Sequence, residues 1–215
     1  KIYKQLAAEQ PSVYQSDLAR TYYNLGNLYV NTNRMKLAER KYLRAKEIRG
    51  RLAIENPEAH QPDLASTCNN LGNLYVETKR MKLAEQEYLQ VKKIYKHLAT
   101  EYPSVYQPNL AEICYALGAL YADTNRLKLA EQEYCQAKEI QDQLVAEQPS
   151  EHQPNLAGIC CSLGALYLNT YKIKLAKQEF FRAKEIYEQM SKISPEQYMS
   201  ELKTIRTILK FLSEI

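Results

Sequence analysis

The stretch YYNLGNLY at residues 22–29 returns as CNNLGNLY at 68–75, CYALGALY at 114–121 and CCSLGALY at 160–167, each copy 46 residues after the last. A second series keeps the same spacing without an insertion, at Pro11, Pro57, Pro103, Pro149 and Pro195. Two residue types in one register indicate tandem repeats. A fixed period of this length is typical of a solenoid or array.

One repeat, residues 58–103, predicts a helical hairpin. Pro62 suits the first turn of a helix, so the segment that ends there is predicted to be a linker. Apolar residues at helical spacing then mark one face over residues 64–76. A polar turn at residues 77–80 separates this helix from a second, longer one.

The glycine of the recurring stretch predicts a close approach of the two helices, because glycine inside a helix costs about 1 kcal/mol relative to alanine. Small residues of the second helix are expected to face it, at Ala38, Ala84, Ala130 and Ala176. Aromatic residues one turn later are expected to fill the flank, at Tyr42, Tyr88, Tyr134 and Phe180. The small glycine of the first helix is therefore predicted to pack against the small alanine of the second.

These columns resemble the tetratricopeptide repeat. YYNLGNLY nearly spells the first helix of that family, and its Ala-x-x-x-aromatic-x-x-Ala pattern follows at Ala38, Tyr42 and Ala45. The resemblance implies an all-α fold: a right-handed α-α superhelix (TPR solenoid) of helical hairpins with a C-terminal capping helix. The unit of 46 residues exceeds the usual 34 and is similar to the long variant of kinesin light chains.

The period divides the chain into segments. Residues 1–10 match the end of a second helix, so the chain is expected to open inside a repeat and to be part of a longer protein. Four repeats are predicted at 12–57, 58–103, 104–149 and 150–195. Residues 196–215 are predicted to form the capping helix, in which Lys210 replaces the glycine and must face solvent.

Composition argues against two classes of partner. No window approaches the roughly 18 apolar residues that cross a bilayer, so no membrane contact is expected. The net charge of +4 is unevenly spread: residues 12–57 carry nine basic and four acidic residues, whereas residues 104–149 carry three and seven. The acidic repeat would interrupt the basic stripe that nucleic acid needs, so no nucleic-acid binding is expected.

The cysteines predict a reducing environment. Cys68, Cys114 and Cys160 share one column and are expected to be buried, reduced packing residues, which favours a cytoplasmic location. Cys135 stands in a leucine column and is also expected in the core. Only Cys161 is expected to be accessible.

Motifs of enzymes are missing. There is no phosphate-binding glycine loop, no paired Cys or His at metal-ligand spacing and no nucleophile elbow. We therefore expect no enzyme, no catalytic residues, no metal and no cofactor. His60 and His152 share a column with tyrosines and are expected to fill space between repeats, whereas His97 stands alone.

Side chains that the hairpin does not need project from the first helix, where the resemblance places a concave groove. The predicted peptide-binding residues are Arg20, Tyr23, Asn24, Asn27, Asn31, Asn69, Asn70, Asn73, Glu77, Tyr115, Ala119 and Asp123. An amide donates and accepts hydrogen bonds at once, so the asparagines suit the backbone of an extended peptide. Mostly small residues occupy the same columns later on, including Ala116, Gly158, Ser162 and Ala165.

The leading hypothesis is a protein-protein interaction scaffold that binds an extended peptide or partner segment in this groove. Relatives that grip a terminal carboxylate carry Lys or Arg at columns held here by Tyr23, Asn27, Asn69 and Asn73, so an internal segment is favoured. The alternative is a structural spacer or self-association module without a peptide ligand, either monomeric or weakly associated end to end. The asparagines would then only solvate an empty groove.

Basic residues also recur at the hairpin turn. They are Arg34, Lys36, Arg80, Lys82, Arg126, Lys128, Lys172 and Lys174. A partner with acidic groups could dock there. Local pairs along each helix are commonplace, so a solvated edge is the favoured interpretation.

Overall fold

The computed structural model describes residues 2–214, except for the side chains of residues 11 and 12. Every regular element within that range is an α-helix, which confirms the all-α prediction. The helices are α1 Ile2–Glu9, α2 Pro11–Asn31, α3 Met35–Glu55, α4 Pro57–Glu77, α5 Met81–Glu101, α6 Pro103–Asp123, α7 Leu127–Glu147, α8 Pro149–Asn169, α9 Ile173–Ser191 and α10 Pro195–Ser213. They fall into two compact units, unit 1 up to Glu101 and unit 2 from Tyr102.

Each unit is a stack of helical hairpins. In unit 1, α2 packs on α3 and α4 on α5, and contacts between α3 and α4 join the two hairpins. Unit 2 repeats this order with α6 on α7 and α8 on α9, and then adds α10 on α9. The inner face of α10 buries Leu202, Ile205, Leu209 and Leu212. Lys210 is exposed, as expected, and residue 215 lies outside the described range.

The prolines that were predicted to end a linker lie inside helices. α4 begins at Pro57 and runs through Pro62 without a break, and Pro108 and Pro154 lie inside α6 and α8. Such a proline removes the hydrogen bond to the carbonyl group four residues earlier. In α4 that group belongs to the exposed Glu58, where water can satisfy it. The predicted linker is therefore wrong, because it forms the first turns of the first helix.

The glycine column makes room for an aromatic ring of the second helix. A Cβ atom added to Gly118 would lie 2.6 Å from the ring of Tyr134, and one added to Gly164 would lie 2.8 Å from the ring of Phe180. Gly26 and Gly72 face the corresponding rings, Tyr42 and Tyr88. The ring that was expected on the flank is thus the nearest neighbour of the glycine. The aromatic ring itself lies on the backbone that glycine leaves bare.

Each hairpin turn places a residue in the left-handed region of backbone space. Its φ angle is between 55° and 59° at Asn33, Lys79, Asn125 and Tyr171. In the first turn the N–H of Arg34 donates to the carbonyl of Tyr29 at 2.7 Å, and that of Asn33 donates to Val30 at 2.8 Å. This pair of bonds is a Schellman motif, which usually carries glycine at the left-handed position.

Tyr171→Gly is expected to raise the free energy of unfolding by about 1 kcal/mol, because glycine adopts this φ without the Cβ penalty. The side chain is 90% exposed, so little packing is lost with it. Urea unfolding followed by far-UV circular dichroism measures the change. Asn33→Gly is the matched control and should gain less, since asparagine tolerates this region. A loss of stability at position 171 would contradict the prediction.

The cysteine column is buried, as predicted. Cys68, Cys114 and Cys160 are 0% exposed, and these three cysteines form no disulfide bond. Burial raises the pKa of Cys68 and of Cys160 to about 12, so both thiols are protonated at neutral pH. The nearby Glu87 and Glu179 carboxylates add to this rise in pKa.

The exposure of the two remaining cysteines differs from the prediction. Cys135 is exposed, because its column lies on the outside of the second helix: Leu43 and Leu89 of that column are themselves 43% and 44% exposed. Cys161 is half-buried, and burial raises its pKa to about 11. The core position expected for Cys135 is therefore wrong, and Cys161 is not the most accessible thiol.

Ion pairs join successive second helices inside each unit. In unit 1, Lys46 Nζ lies 2.8 and 2.6 Å from the two carboxylate oxygens of Glu87, which is 41 residues further on. In unit 2, Lys138 Nζ lies 2.5 and 2.7 Å from those of Glu179, at the same separation. These four side chains are mostly buried. The pairs connect one repeat to the next rather than one helical turn to the next.

Two basic residues of the hairpin turns also form ion pairs with other helices. Arg80 Nη1 donates to Glu39 at 2.7 Å, and its guanidinium group lies 4.5 Å from the centre of the Tyr75 ring. Lys172 pairs with Glu131 at 2.7 Å in the same way. At these two positions the carboxylate partner therefore lies on another helix and not on the same one. Their partners belong to the preceding second helix.

Candidate functional site

Unit 1 carries a hydrogen-bonded amide cluster on the face formed by α2 and α4. The hydroxyl group of Tyr42 donates to Asn27 Oδ1 at 2.6 Å, and Asn70 Nδ2 donates to the same oxygen at 3.1 Å. Asn70 Nδ2 also donates to the hydroxyl oxygen of Tyr23 at 3.1 Å. Three residues predicted to contact a peptide thus meet one another across two repeats.

The hydrogen bond from a second-helix tyrosine to a first-helix asparagine recurs one repeat later. The hydroxyl group of Tyr88 donates to Asn73 Oδ1 at 2.5 Å. Burial raises the pKa of Tyr42 and of Tyr88 to about 12, so both phenols are protonated donors at neutral pH. Each tyrosine hydroxyl group binds the amide oxygen of its asparagine and so fixes the orientation of that side chain. The NH2 groups of Asn27 and Asn73 donate no hydrogen bond within residues 2–214.

These amides line a shallow pocket of about 390 Å³ between α2 and α4, which we call the asparagine pocket. Its lining residues are Asn27, Val30, Asn31, Tyr42, Asn70, Asn73, Leu74 and Glu77. Five of the predicted contact residues therefore come together. Its surface is about half polar and half apolar, the polar part coming from the glutamate, asparagine and tyrosine side chains.

The other predicted residues of unit 1 lie outside this pocket. Arg20 is exposed and pairs with Asp17 at 2.6 Å. Asn24 is exposed on α2, and Asn69 is half-buried on α4. The ring of Tyr23 packs against that of Tyr42, with the ring centres 6.0 Å apart.

Arg49 is a buried cation on this face that was not predicted from the sequence. The residue is 4% exposed, and its Nη1 donates to the Asp63 carbonyl group at 2.9 Å and to Thr67 Oγ1 at 2.7 Å. The guanidinium group lies 4.7 Å from the centre of the Tyr23 ring. Burial lowers the pKa of Arg49, and the nearby Asp63 carboxylate opposes that shift. The sequence does contain a sign of this role: Arg49 is the charged member of a repeat column whose other members are Tyr95, Gln141 and Tyr187.

Unit 2 arranges the same columns differently. The ring of Tyr115 packs against Tyr134 with centres 5.5 Å apart, and its hydroxyl group lies 3.1 Å from Ser162 Oγ. Burial, together with the charges of Tyr115 and Asp123, raises the pKa of Tyr134 to about 12. Ala119 stands at the position of Asn27 and Asn73 in unit 1. Asp123 is exposed at the end of α6.

Tyr115 also borders a larger recess, of about 560 Å³, between α6 and α8. We call it the Gln141 recess. Gln141 is 2% exposed and donates from Nε2 to the carbonyl group of His152 at 3.0 Å. His152 is itself buried, as expected, whereas His60 is half-buried.

Comparison with known proteins identifies the repeat. The family model described as tetratricopeptide repeat matches residues 19–51, 65–97 and 111–144. These segments are tetratricopeptide repeats. Each match begins in a first helix and ends in the second helix that packs on it. The match does not extend to residues 150–195, although α8 and α9 form the same hairpin.

Three solved structures have a similar fold. BtubC (BKLC) from P. vanneervenii has a TM-score of 0.63 at 18% identity, over 99% of this chain and 85% of that one. The apo form of RapI has a TM-score of 0.72 at 15% identity, over 96% and 68%. A Podosopora anserina protein described as a kinesin light chain with nearly identical TPR-like repeats has 0.63 at 14%, over 94% and 92%. No curated protein matches the sequence.

The tetratricopeptide repeats make the chain a protein-interaction scaffold in the general sense. Within residues 2–214, no group of three or more His, Cys, Asp or Glu side chains is placed to hold a metal ion. Over the same range, every helix is too short or too polar to traverse a lipid bilayer.

Proposed function

We propose that unit 1 binds an extended polypeptide segment along α2 and α4, centred on the asparagine pocket. The fixed amides of Asn27 and Asn73 support this function, because buried tyrosine hydroxyls hold both of them by their oxygens. Their NH2 groups can then donate to main-chain carbonyl groups of a ligand. Donors that are already ordered lose less conformational entropy on binding.

The remaining predicted residues would extend this contact. Arg20, Tyr23, Asn24 and Asn69 flank the asparagine pocket on the same two helices. In unit 2, Tyr115, Ala119 and Asp123 are proposed to contact the same class of ligand. Recognition of this kind relies on the main chain, so the ligand sequence would be tolerated broadly and side-chain pockets would supply selectivity.

Asn70→Ala combined with Asn73→Ala is expected to weaken a bound peptide roughly tenfold, because the Asn73 donor is lost and Asn27 loses the Asn70 amide that binds its oxygen, at about 0.5–1.5 kcal/mol each. The ligands are peptides that the purified chain selects from a random phage-displayed library. Their dissociation constants are measured by fluorescence anisotropy with synthetic peptides. Circular dichroism checks that the variant keeps its helical content.

Gln86→Ala combined with Gln90→Ala is the matched control. It also removes two amides from unit 1, but on α5 and outside the asparagine pocket. This variant should bind the selected peptides like the unaltered chain. Equal affinity of both double variants, or a library from which nothing is enriched, would overturn the proposed function.

The alternative of self-association makes a different prediction. A peptide-binding module stays monomeric, so light scattering across a dilution series should give one constant molar mass. A mass that falls on dilution would favour a spacer that associates through its ends. The buried thiols favour a cytoplasmic location for either function.

A further inference from the structure

In unit 1, the space next to Tyr23 is filled by the protein's own cation. The guanidinium group of Arg49 stacks on the Tyr23 ring, and it donates to groups of α4. Tyr23 is held in place for this contact by the ring of Tyr42 behind it and by Asn70 at its hydroxyl group. The result is a tyrosine face that is covered by a buried arginine.

Unit 2 holds the corresponding tyrosine in the same way but lacks the arginine. Tyr115 lies 92 residues after Tyr23, and it is supported by Tyr134 and Ser162 at the positions equivalent to Tyr42 and Asn70. Gln141 stands where Arg49 stands in unit 1. Its amide turns to the His152 carbonyl group instead of covering the ring.

Smaller residues keep the resulting space open. Gly158 replaces Ser66, and a Cβ atom added to it would meet nothing within 4 Å. The Gln141 recess of about 560 Å³ is what remains. Such a volume easily holds one long side chain.

The rim of the Gln141 recess has the charge that a cation requires. Glu112 and Glu151 line it, at the positions that are Arg20 and Ala59 in unit 1. No Lys or Arg is among its described lining residues, and neither glutamate forms a salt bridge within residues 2–214. The repeat around it carries seven acidic and three basic residues.

We propose that the Gln141 recess binds an arginine side chain of the partner segment, with the guanidinium group on the Tyr115 ring and paired with Glu112 and Glu151. Arg49 in unit 1 shows the pose in which the ring accepts this group. A planar guanidinium group stacks on an aromatic face and pairs with carboxylates better than an ammonium group does. The inference rests on the proposed function, because the side chain is delivered by a bound polypeptide.

The test uses ethylguanidinium chloride as the probe and the chain with 13C-labelled tyrosine rings, followed by NMR. The Tyr115 signal, assigned with Tyr115→Phe, should shift and saturate with a dissociation constant roughly in the millimolar range. Ethylammonium chloride should bind about fivefold more weakly, and sodium chloride should cause no saturable shift. Tyr23 is the internal control, since Arg49 already covers its ring.

Two variants close the Gln141 recess in different ways. Gln141→Arg supplies the cation that unit 1 has, and Gly158→Leu fills the open space from α8. Whichever variant keeps its helical circular dichroism signal should lose the Tyr115 shift. Glu112→Gln with Glu151→Gln should weaken ethylguanidinium roughly tenfold. A linear shift, an equal shift at Tyr23, or binding that persists in the filled variants would overturn the proposal.

The same probe separates this inference from the proposed function. Asn70→Ala with Asn73→Ala should lose the selected peptides and keep ethylguanidinium, because the asparagine pocket and the Gln141 recess share no residue. Peptide binding without any ethylguanidinium binding would overturn only the arginine site. The reverse result would overturn only the asparagine pocket.

Discussion

Lys46→Met is expected to lower the free energy of unfolding by about 3 kcal/mol, because it leaves the Glu87 carboxylate buried without a counter-charge. The side chain of Glu87 is 11% exposed and that of Lys46 is 26% exposed. Lys46 Nζ contacts both carboxylate oxygens, at 2.8 and 2.6 Å. Urea unfolding followed by far-UV circular dichroism measures the loss.

Two further variants test the cause. Lys36→Met removes an exposed lysine from the same helix and should change stability by about 0.5 kcal/mol or less. Lys46→Met with Glu87→Leu removes both charges and should recover most of the loss, since a buried ion pair is often replaceable by apolar residues. A cost below about 1 kcal/mol for Lys46→Met would mean that water screens the pair, as at a surface.

Gly72→Ala is expected to cost about 2 kcal/mol, although alanine is the better helix former. The added methyl group would overlap the ring of Tyr88, which is 4% exposed. The ring cannot yield freely, because its hydroxyl group is bound to Asn73. The same variant should therefore also weaken the peptides selected by the asparagine pocket.

Gly50→Ala is the control, for which the free energy of unfolding should change in the opposite direction. Gly50 lies inside α3, and a Cβ atom added to it would meet nothing within 4 Å. Only the helix propensity changes there, so a gain of about 0.5–1 kcal/mol is expected. Unfolding curves of the two variants, measured side by side, should move in opposite directions. A gain at both positions would show that Tyr88 relaxes at no cost.

Much of the candidate site could be predicted, because a first helix presents its residues in a known order. Asn27, Asn31, Asn70, Asn73 and Glu77 were expected on one surface and do line one pocket. The hydrogen bonds from Tyr42 to Asn27 and from Tyr88 to Asn73 were not predicted. Both of these tyrosines lie on second helices, and their approach to the asparagines depends on how two helices cross.

Residues at helical spacing determine by themselves which face of each helix is apolar and where the hairpin turns, since both follow from 3.6 residues per turn and from local backbone preferences. The 46-residue period, the buried Cys68 column and the turn after Glu77 belong to that class. Contacts 41 residues apart, such as that of Lys46 with Glu87, depend instead on the stagger between packed helices. Only the tertiary structure decided them, as it decided that Arg49 covers its tyrosine while Gln141 leaves the other one open.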